Sequence, residues 1–323
     1  MHLPFKAVLG LMLLAAGLFA PAASAQPFPN RPVRILVGFA AGGGPDVLAR
    51  TVATQLSLSM GQQFYIDNRV GANGTLALNA MLQAEPDGHT LFFSGSSIVM
   101  MPHLMKNLPF DVGRDIVPVA AVGSLDGFLL LVHPSTPVHS VTEFIDYAKK
   151  NRVLYGTPGF GNTLHIVSEL FRAQAGVPLE HIPYKGAGEV ANALLSQTIQ
   201  VMFVTPPSVL AFAKEGRLRA IGYTASTPFA ELPDVQTVPS VVPGYKQSGS
   251  WSMFFAPAKT PPHVVSELNA AILKALSTPT VASYMRRSGY GQETRNAAEI
   301  AAFYRKELDA AQEAVKITGI EPQ

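Results

Sequence analysis

Val33-Arg34-Ile35-Leu36-Val37-Gly38-Phe39-Ala40-Ala41-Gly42-Gly43-Gly44-Pro45-Asp46 reads as a short apolar strand, a glycine turn and the opening of a helix. The arrangement returns in the second half. There Val153-Leu154-Tyr155-Gly156 runs into Thr157-Pro158-Gly159-Phe160-Gly161-Asn162, and a second helix is expected from about Thr163. A glycine turn lets backbone N–H groups approach a ligand, and the first turn of a helix leaves its N–H groups unpaired. Such an end favours a carboxylate or phosphate without needing a lysine. Two of them, facing each other from two domains, would clamp a small acid.

Outward from these turns, strands and helices alternate. A helix from Pro45 to about Met60 sets Leu48, Val52 and Leu56 on one face, and Pro45 suits a first helical position, where its missing N–H costs nothing. Phe64-Tyr65-Ile66 reads as a strand, Gly71-Ala72-Asn73-Gly74 as a turn and residues 75–83 as a helix. His89-Thr90-Leu91-Phe92-Phe93 is the next strand, ending in the small polar loop Ser94-Gly95-Ser96-Ser97. A second unit begins near Gly127 with an apolar strand over 128–132. Ser140 and Glu143 form a capping box for a helix ending at Lys150. After the second glycine turn a helix runs to Ala175, where Gly176 stops it. Strands near His181-Ile182-Pro183, over 201–204 and over 218–223 then alternate with helices over 189–196 and 208–215. The tail, 261–277 and 296–317, is helical, with Asn296 and Glu299 as a cap signature.

This alternation predicts an α/β fold of mostly parallel sheets with helices on both faces. Ligands of such sheets sit at the carboxyl ends of the strands. Both glycine turns, the loop at Ser94, Ser96 and Ser97, and Thr205 converge there. Asp46 in the first helical turn is a further candidate.

The first 25 residues read as an address. Met1 to Lys6 carries one positive charge, Ala7 to Ala20 is uninterrupted and apolar, and Ala23-Ser24-Ala25 supplies a cleavage pattern ahead of Gln26. A bilayer span wants about 20 apolar residues, so this run is short for an anchor. Export with cleavage after Ala25 is expected, giving a periplasmic protein. Losing residues 1–25 removes one lysine and no acid, so the formal charge falls from +2 to +1. That near balance offers no basic face for nucleic acid and no polybasic membrane patch. The absence of cysteine excludes disulfides, iron–sulfur clusters, thiol nucleophiles and thiolate zinc sites. What remains is long enough for two domains of ordinary size.

An enzyme is the rival reading. Gly42-x-Gly44 has Val47 where a dinucleotide fingerprint needs its third glycine, and Asp67 is the only acid near the distance such a fingerprint requires. No phosphate-loop motif occurs. Gly95-Ser96-Ser97-Ile98-Val99 fails the nucleophile-elbow pattern at its last position, and the histidines are scattered. No cofactor, metal or catalytic residue is called for. A sensor that binds the same acid and docks to a membrane signalling protein stays open, because it would carry the same sequence.

Phe28-Pro29-Asn30-Arg31-Pro32-Val33-Arg34 ahead of the glycine turn, with Asp46 and Ala49-Arg50 after it, resembles the opening of the Bug family, the solute receptors of tripartite tricarboxylate transporters. The likeness continues through Asp67-Asn68-Arg69, Gly71-Ala72-Asn73-Gly74 and Pro86-Asp87-Gly88-His89-Thr90-Leu91. It resumes at Tyr155-Gly156-Thr157-Pro158-Gly159-Phe160-Gly161 with His165, and at Pro183-Tyr184-Lys185-Gly186, Leu232-Pro233-Asp234-Val235 and Trp251. The resemblance implies a periplasmic binding protein of the two-domain, type II-like, double-crossover kind. The chain would leave the first domain near Asp126 and return near Thr224, so that 26–126 with 224–323 form one domain and 127–223 the other. It further implies a monomer that holds a small carboxylate between the domains and passes it to membrane permease components. Carried over by position, the ligand contacts fall on Phe39, Ala41, Gly42, Gly43 and Gly44, on the Ser94–Ser97 loop, and on Thr157, Gly159, Gly161, Asn162 and His165.

Two departures from the family wording bear on the ligand. Val204 stands where an aspartate is frequent, which removes a partner for an ammonium group and favours simple mono- or dicarboxylates or aromatic acids over amino acids. Ser252-Met253-Phe254-Phe255 replaces a glycine-rich stretch and could present extra apolar surface. The plain readings stand beside these. Asp46 can serve only as a cap, Arg50 as an internal ion-pair partner, His165 as a packing residue and Trp251 as core.

Overall fold

The computed structural model describes residues 28–245, 249–291 and 293–322; the expected leader lies outside them. The strands are β1 (Val33–Val37), β2 (Phe64–Asn68), β3 (Thr90–Gly95), β4 (Ile116–Leu125), β5 (Leu129–Val132), β6 (Val153–Thr157), β7 (Leu179–Pro183), β8 (Val201–Val204), β9 (Arg219–Tyr223) and β10 (Ser250–Pro257). The helices are α1 (Gly44–Met60), α2 (Thr75–Leu82), α3 (Met101–Leu104), α4 (Val141–Lys150), α5 (Thr163–Ala175), α6 (Ala187–Leu195), α7 (Leu210–Lys214), α8 (Pro262–Leu276), α9 (Pro279–Arg287) and α10 (Ala297–Thr318). Among the described residues no helix is long and apolar enough to cross a membrane.

The first sheet has the order β2-β1-β3-β10-β4 and the second β7-β6-β8-β5-β9. In each, three parallel strands meet one reversed strand, β10 or β5, and a fifth strand runs with the first three. The sheets are therefore mixed. Each reversed strand is the one the chain enters on passing from one half to the other.

Two strands carry little local signal. β4 contains Pro118, which cannot donate to a ladder and is tolerated because β4 is the sheet edge, beside a register shift at Phe254/Phe255. β10 is buried from Trp251 to Pro257, a short apolar run that periodicity alone cannot assign. Met253, Phe254 and Phe255 thus fill the core. They present no extra surface to a ligand, contrary to the expectation above.

The passages between the halves lie side by side. β10 begins opposite the end of β4, pairing Ser250 with Leu125. A Cβ on Gly249 would stand 1.6 Å from the Leu125 carbonyl oxygen, so only glycine fits there. Past Thr224, where the return is expected, the chain still contacts the second half as far as Tyr245. Thr237 bridges to Tyr223, Gln174 donates to the Gly244 carbonyl (3.2 Å), and Tyr245 meets the Phe171 ring. Burial of Val238, Val242 and Tyr245 holds this segment on the second half.

The halves also share a core. One apolar cluster runs from Leu36, Phe92 and Phe255 to Tyr155, Val167 and Phe171, and α10 packs on both β4 and α5. The capping box of α10, Asn296 with Glu299, forms as its sequence predicts.

Candidate ligand-binding site

β1 and β3 end side by side in the first sheet and β6 and β8 in the second, and the loops after β3 and β6 touch across the two halves. After β1 the chain passes so close to the α2 entry that a Cβ on Gly38 would lie 2.8 Å from the Gly74 α-carbon. Gly42 then takes φ +80°, Gly43 caps α1 in extended conformation, and Gly44 and Pro45 open the helix. After β6 the same course is repeated. Gly161 takes φ +72°, Asn162 caps α5 in extended conformation, and Thr163 opens the helix. The Asn162 Oδ1 accepts from the Leu164 N–H (2.9 Å).

The interior of each turn is fastened by a side chain from the third helical position. Asp46 is 1% exposed, and its Oδ2 accepts from the Gly42 N–H and from Arg50 Nε, both at 2.9 Å. Asn68 Nδ2 donates to the Asp46 Oδ1 (2.7 Å) and to the Phe39 carbonyl (3.1 Å). In the second turn His165 Nδ1 accepts from the Gly161 N–H (3.2 Å), and Thr157 Oγ1 donates to the Gly159 carbonyl (3.2 Å). Thr157 also meets His181 Nε2 at 2.6 Å. The His165 ring lies 4.1 Å from the His181 ring in a stack that includes Tyr155, whose hydroxyl donates to Glu169 (2.5 Å). Arg172 closes the network on Glu169.

Asp46, His165, Gly42 and Gly161 were expected as ligand contacts. The structure gives each an internal partner, and it gives one to Gly43 as well, whose N–H donates to the Ala40 carbonyl (3.3 Å). The amides of Ala41, Gly44, Gly159, Phe160 and Thr163 have no partner among the described residues. Thr205 is occupied with Ser208 (2.9 Å). Ser94, Ser96 and Ser97 are buried, with Ser96 Oγ at 3.1 Å from Thr163 Oγ1 across the two halves. A second bond crosses there, from Asn73 Nδ2 to the Gly161 carbonyl (3.0 Å). Val204 packs with Leu129 and Tyr223 inside the second half, so its identity is a matter of core packing. A groove of about 750 Å³, lined by Arg34, Asn68, Arg69, Val70 and Leu76, meets the first turn only through Asn68, which stands behind it.

Asn73, Asn68 and His181 belong to the site without a strong local signal. Asn73 adopts φ +56°, a region asparagine tolerates, and the Asn73-Gly74 pair hinted at that. His181 reaches the turn only through the β6–β7 register, which sets it beside Tyr155.

Burial raises the Asp46 carboxyl, but the bonds from Arg50, Asn68 and Gly42 outweigh it and hold the group below its usual value. Burial pushes His165 down to about 3, reinforced by His181 and Arg172, and burial lowers His181 as well. His165 is therefore a neutral acceptor near neutrality. An unfolded histidine titrates near about 6.5, so below that value the unfolded chain binds protons that the folded chain refuses. This contribution to stability is complete above about 6.5 and is lost as pH falls towards about 3. Urea midpoints are expected to drop steadily from pH 7 to 4, and less steeply in His165→Leu. Equal slopes in the two proteins would remove His165 as the source.

Two mixed sheets of this topology, with paired passages between them, have the architecture of a periplasmic binding protein. Residues 48–320 match the tripartite tricarboxylate transporter family receptor, and the chain belongs to that family. It is 32% identical to protein BugT of Bordetella pertussis, over 88% of this chain and 87% of the relative. Among solved structures it is similar to R. palustris Rpa4515 with adipate (TM-score 0.85, 28% identity, 92% of this chain and 100% of the other). It is similar also to MatC of Rhodopseudomonas palustris with bound malate (TM-score 0.82, 29% identity, 89% and 100%).

Proposed function

We propose that this protein captures a small carboxylate between its two glycine turns in the periplasm and delivers it to the membrane permease of a tripartite tricarboxylate-type transporter. The observation that carries the reading is the pair of turns itself. Each places unpartnered amides at a helix N-terminus, and the loops beside the first turn, at Asn73 and Ser96, contact the second turn at Gly161 and Thr163 across the two halves. Helix ends and amides favour an anion without a neighbouring cation, and among the described residues the one arginine bonded into either turn, Arg50, is balanced by Asp46. The adipate and malate in the two neighbours are small dicarboxylates, which agrees with this chemistry.

Calorimetry over a panel of mono- and dicarboxylates, amides and sugars tests the claim. Micromolar or tighter binding, about 8 kcal/mol or more, is expected for at least one carboxylate. Heat from sugars or amides with none from any carboxylate would end this reading.

Binding should also be visible at the crossings. Trp251, the single tryptophan, stands one residue into β10, and its indole N–H donates to Glu307 on α10 (2.8 Å). We expect ligand entry to part the Asn73–Gly161 and Ser96–Thr163 contacts, and α10, which packs on both β4 and α5, to shift beside Trp251. Saturation with a bound carboxylate is expected to shift the Trp251 emission. Unchanged emission together with an unchanged radius of gyration would indicate a preformed pocket.

A further inference from the structure

The two turns are the same device built with different chemistry. Gly42 matches Gly161, the caps Gly43 and Asn162 match, and Asp46 matches His165, each four residues after its glycine. Both glycines lie in the left-handed region, and both give their N–H to the side chain at the third helical position. An ordinary capping box returns that side chain to the cap amide. Here it reaches one residue further back.

We propose that Asp46 and His165 are matched positioning residues. Each withdraws one glycine amide from the ligand and thereby fixes the direction of the amides that remain. The inference rests on the carboxylate reading above and adds to it the cause of the turns' shape. Without the fastening, a glycine in the left-handed region is free to leave it, and the neighbouring amides lose their common aim. The chemistry of the two acceptors fits their setting. Asp46 is charged, and Arg50 beside it cancels that charge towards the ligand. His165 is neutral and stacked on His181 in a buried site, so it adds no charge at all. What the two share is a lone pair aimed at an amide.

The bond runs through Nδ1, and the Oδ1 of asparagine stands at the same distance from the backbone. His165→Asn therefore keeps an acceptor in place, while His165→Leu fills the volume without one. Asp46→Asn likewise keeps an oxygen for Gly42, and Asp46→Ala does not. The test uses the 15N-labelled full-length mature protein, reading Gly161 and Gly42 amide exchange by NMR and binding of adipate and malate by calorimetry. In His165→Leu the Gly161 amide is expected to exchange at least about tenfold faster, with β6 amides unchanged, and the affinity to fall at least about tenfold. His165→Asn should stay within about threefold of wild type on both counts; in the Asp46 pair only Gly42 exchange is compared, because Asp46→Asn turns an NH2 towards Asn68 Nδ2. A Gly161 amide as protected in His165→Leu as in wild type would overturn the proposal. So would equal losses in the asparagine and leucine variants. If wild type binds no carboxylate on the panel, the proposed function fails by itself, and amide exchange still decides whether the side chains hold the turns.

Discussion

Gly43→Val is expected to weaken carboxylate binding by at least about 100-fold, near 2.7 kcal/mol, while the melting temperature moves little. Gly43 has φ −71° and ψ 159°, a conformation valine adopts readily. A Cβ there would meet only the Ala40 carbonyl oxygen, at 3.3 Å, with nothing else within 4 Å. That contact is tight, so the Ala40 carbonyl must give slightly to admit the isopropyl group, which then occupies the approach to the Gly44 amide. Gly159 is a poorer target, because at φ +118° valine would be strained and unfolding would confuse the result. Calorimetry and thermal melts on the same preparation settle the matter. Retained affinity would take the first turn out of the site, and a collapsed melting temperature would make Gly43 structural.

The second large effect concerns stability. Glu169→Ala is expected to cost about 3 kcal/mol, whereas Tyr155→Phe should cost about 1 kcal/mol. Glu169 is 7% exposed and accepts from the Tyr155 hydroxyl and from Arg172. Removing it leaves the hydroxyl of a fully buried tyrosine unsatisfied and strips Arg172 of its partner. Arg172 reaches water, so the larger share falls on the tyrosine. Removing the hydroxyl instead leaves Glu169 still paired with Arg172. Urea denaturation of both variants decides, and similar losses would show that the network contributes no more than one ordinary hydrogen bond.

Much of this fold is legible in the chain. The apolar runs at Val33–Val37 and Val153–Thr157, each followed by glycines and a helix start, are local facts of composition and spacing, and both strands form where they are read. The capping residues Ser140 and Asn296 act within their own helices and are equally readable. β4 and β10 are not, because Pro118 argues against a strand and an all-apolar run has no period. That 237–245 stays against the second half is hidden for a similar reason. Val238, Val242 and Tyr245 look like loop residues until the second half is there to bury them.

The site divides along the same line. By itself the sequence determined that two glycine turns stand at strand ends before helices, and that the family wording surrounds them. Tertiary structure alone decided which amides stay free. Asp46 and His165 follow their glycines at the same interval, but whether such a side chain reaches out to a ligand or back to an amide depends on the turn's dihedrals and on what lies behind. Asn68 arrives behind the first turn from β2, and His181 arrives behind the second through its register with Tyr155. Spacing along a chain records neighbours within one or two helical turns. A hydrogen bond between residues brought together by sheet pairing depends on the relative placement of whole strands, which packing fixes.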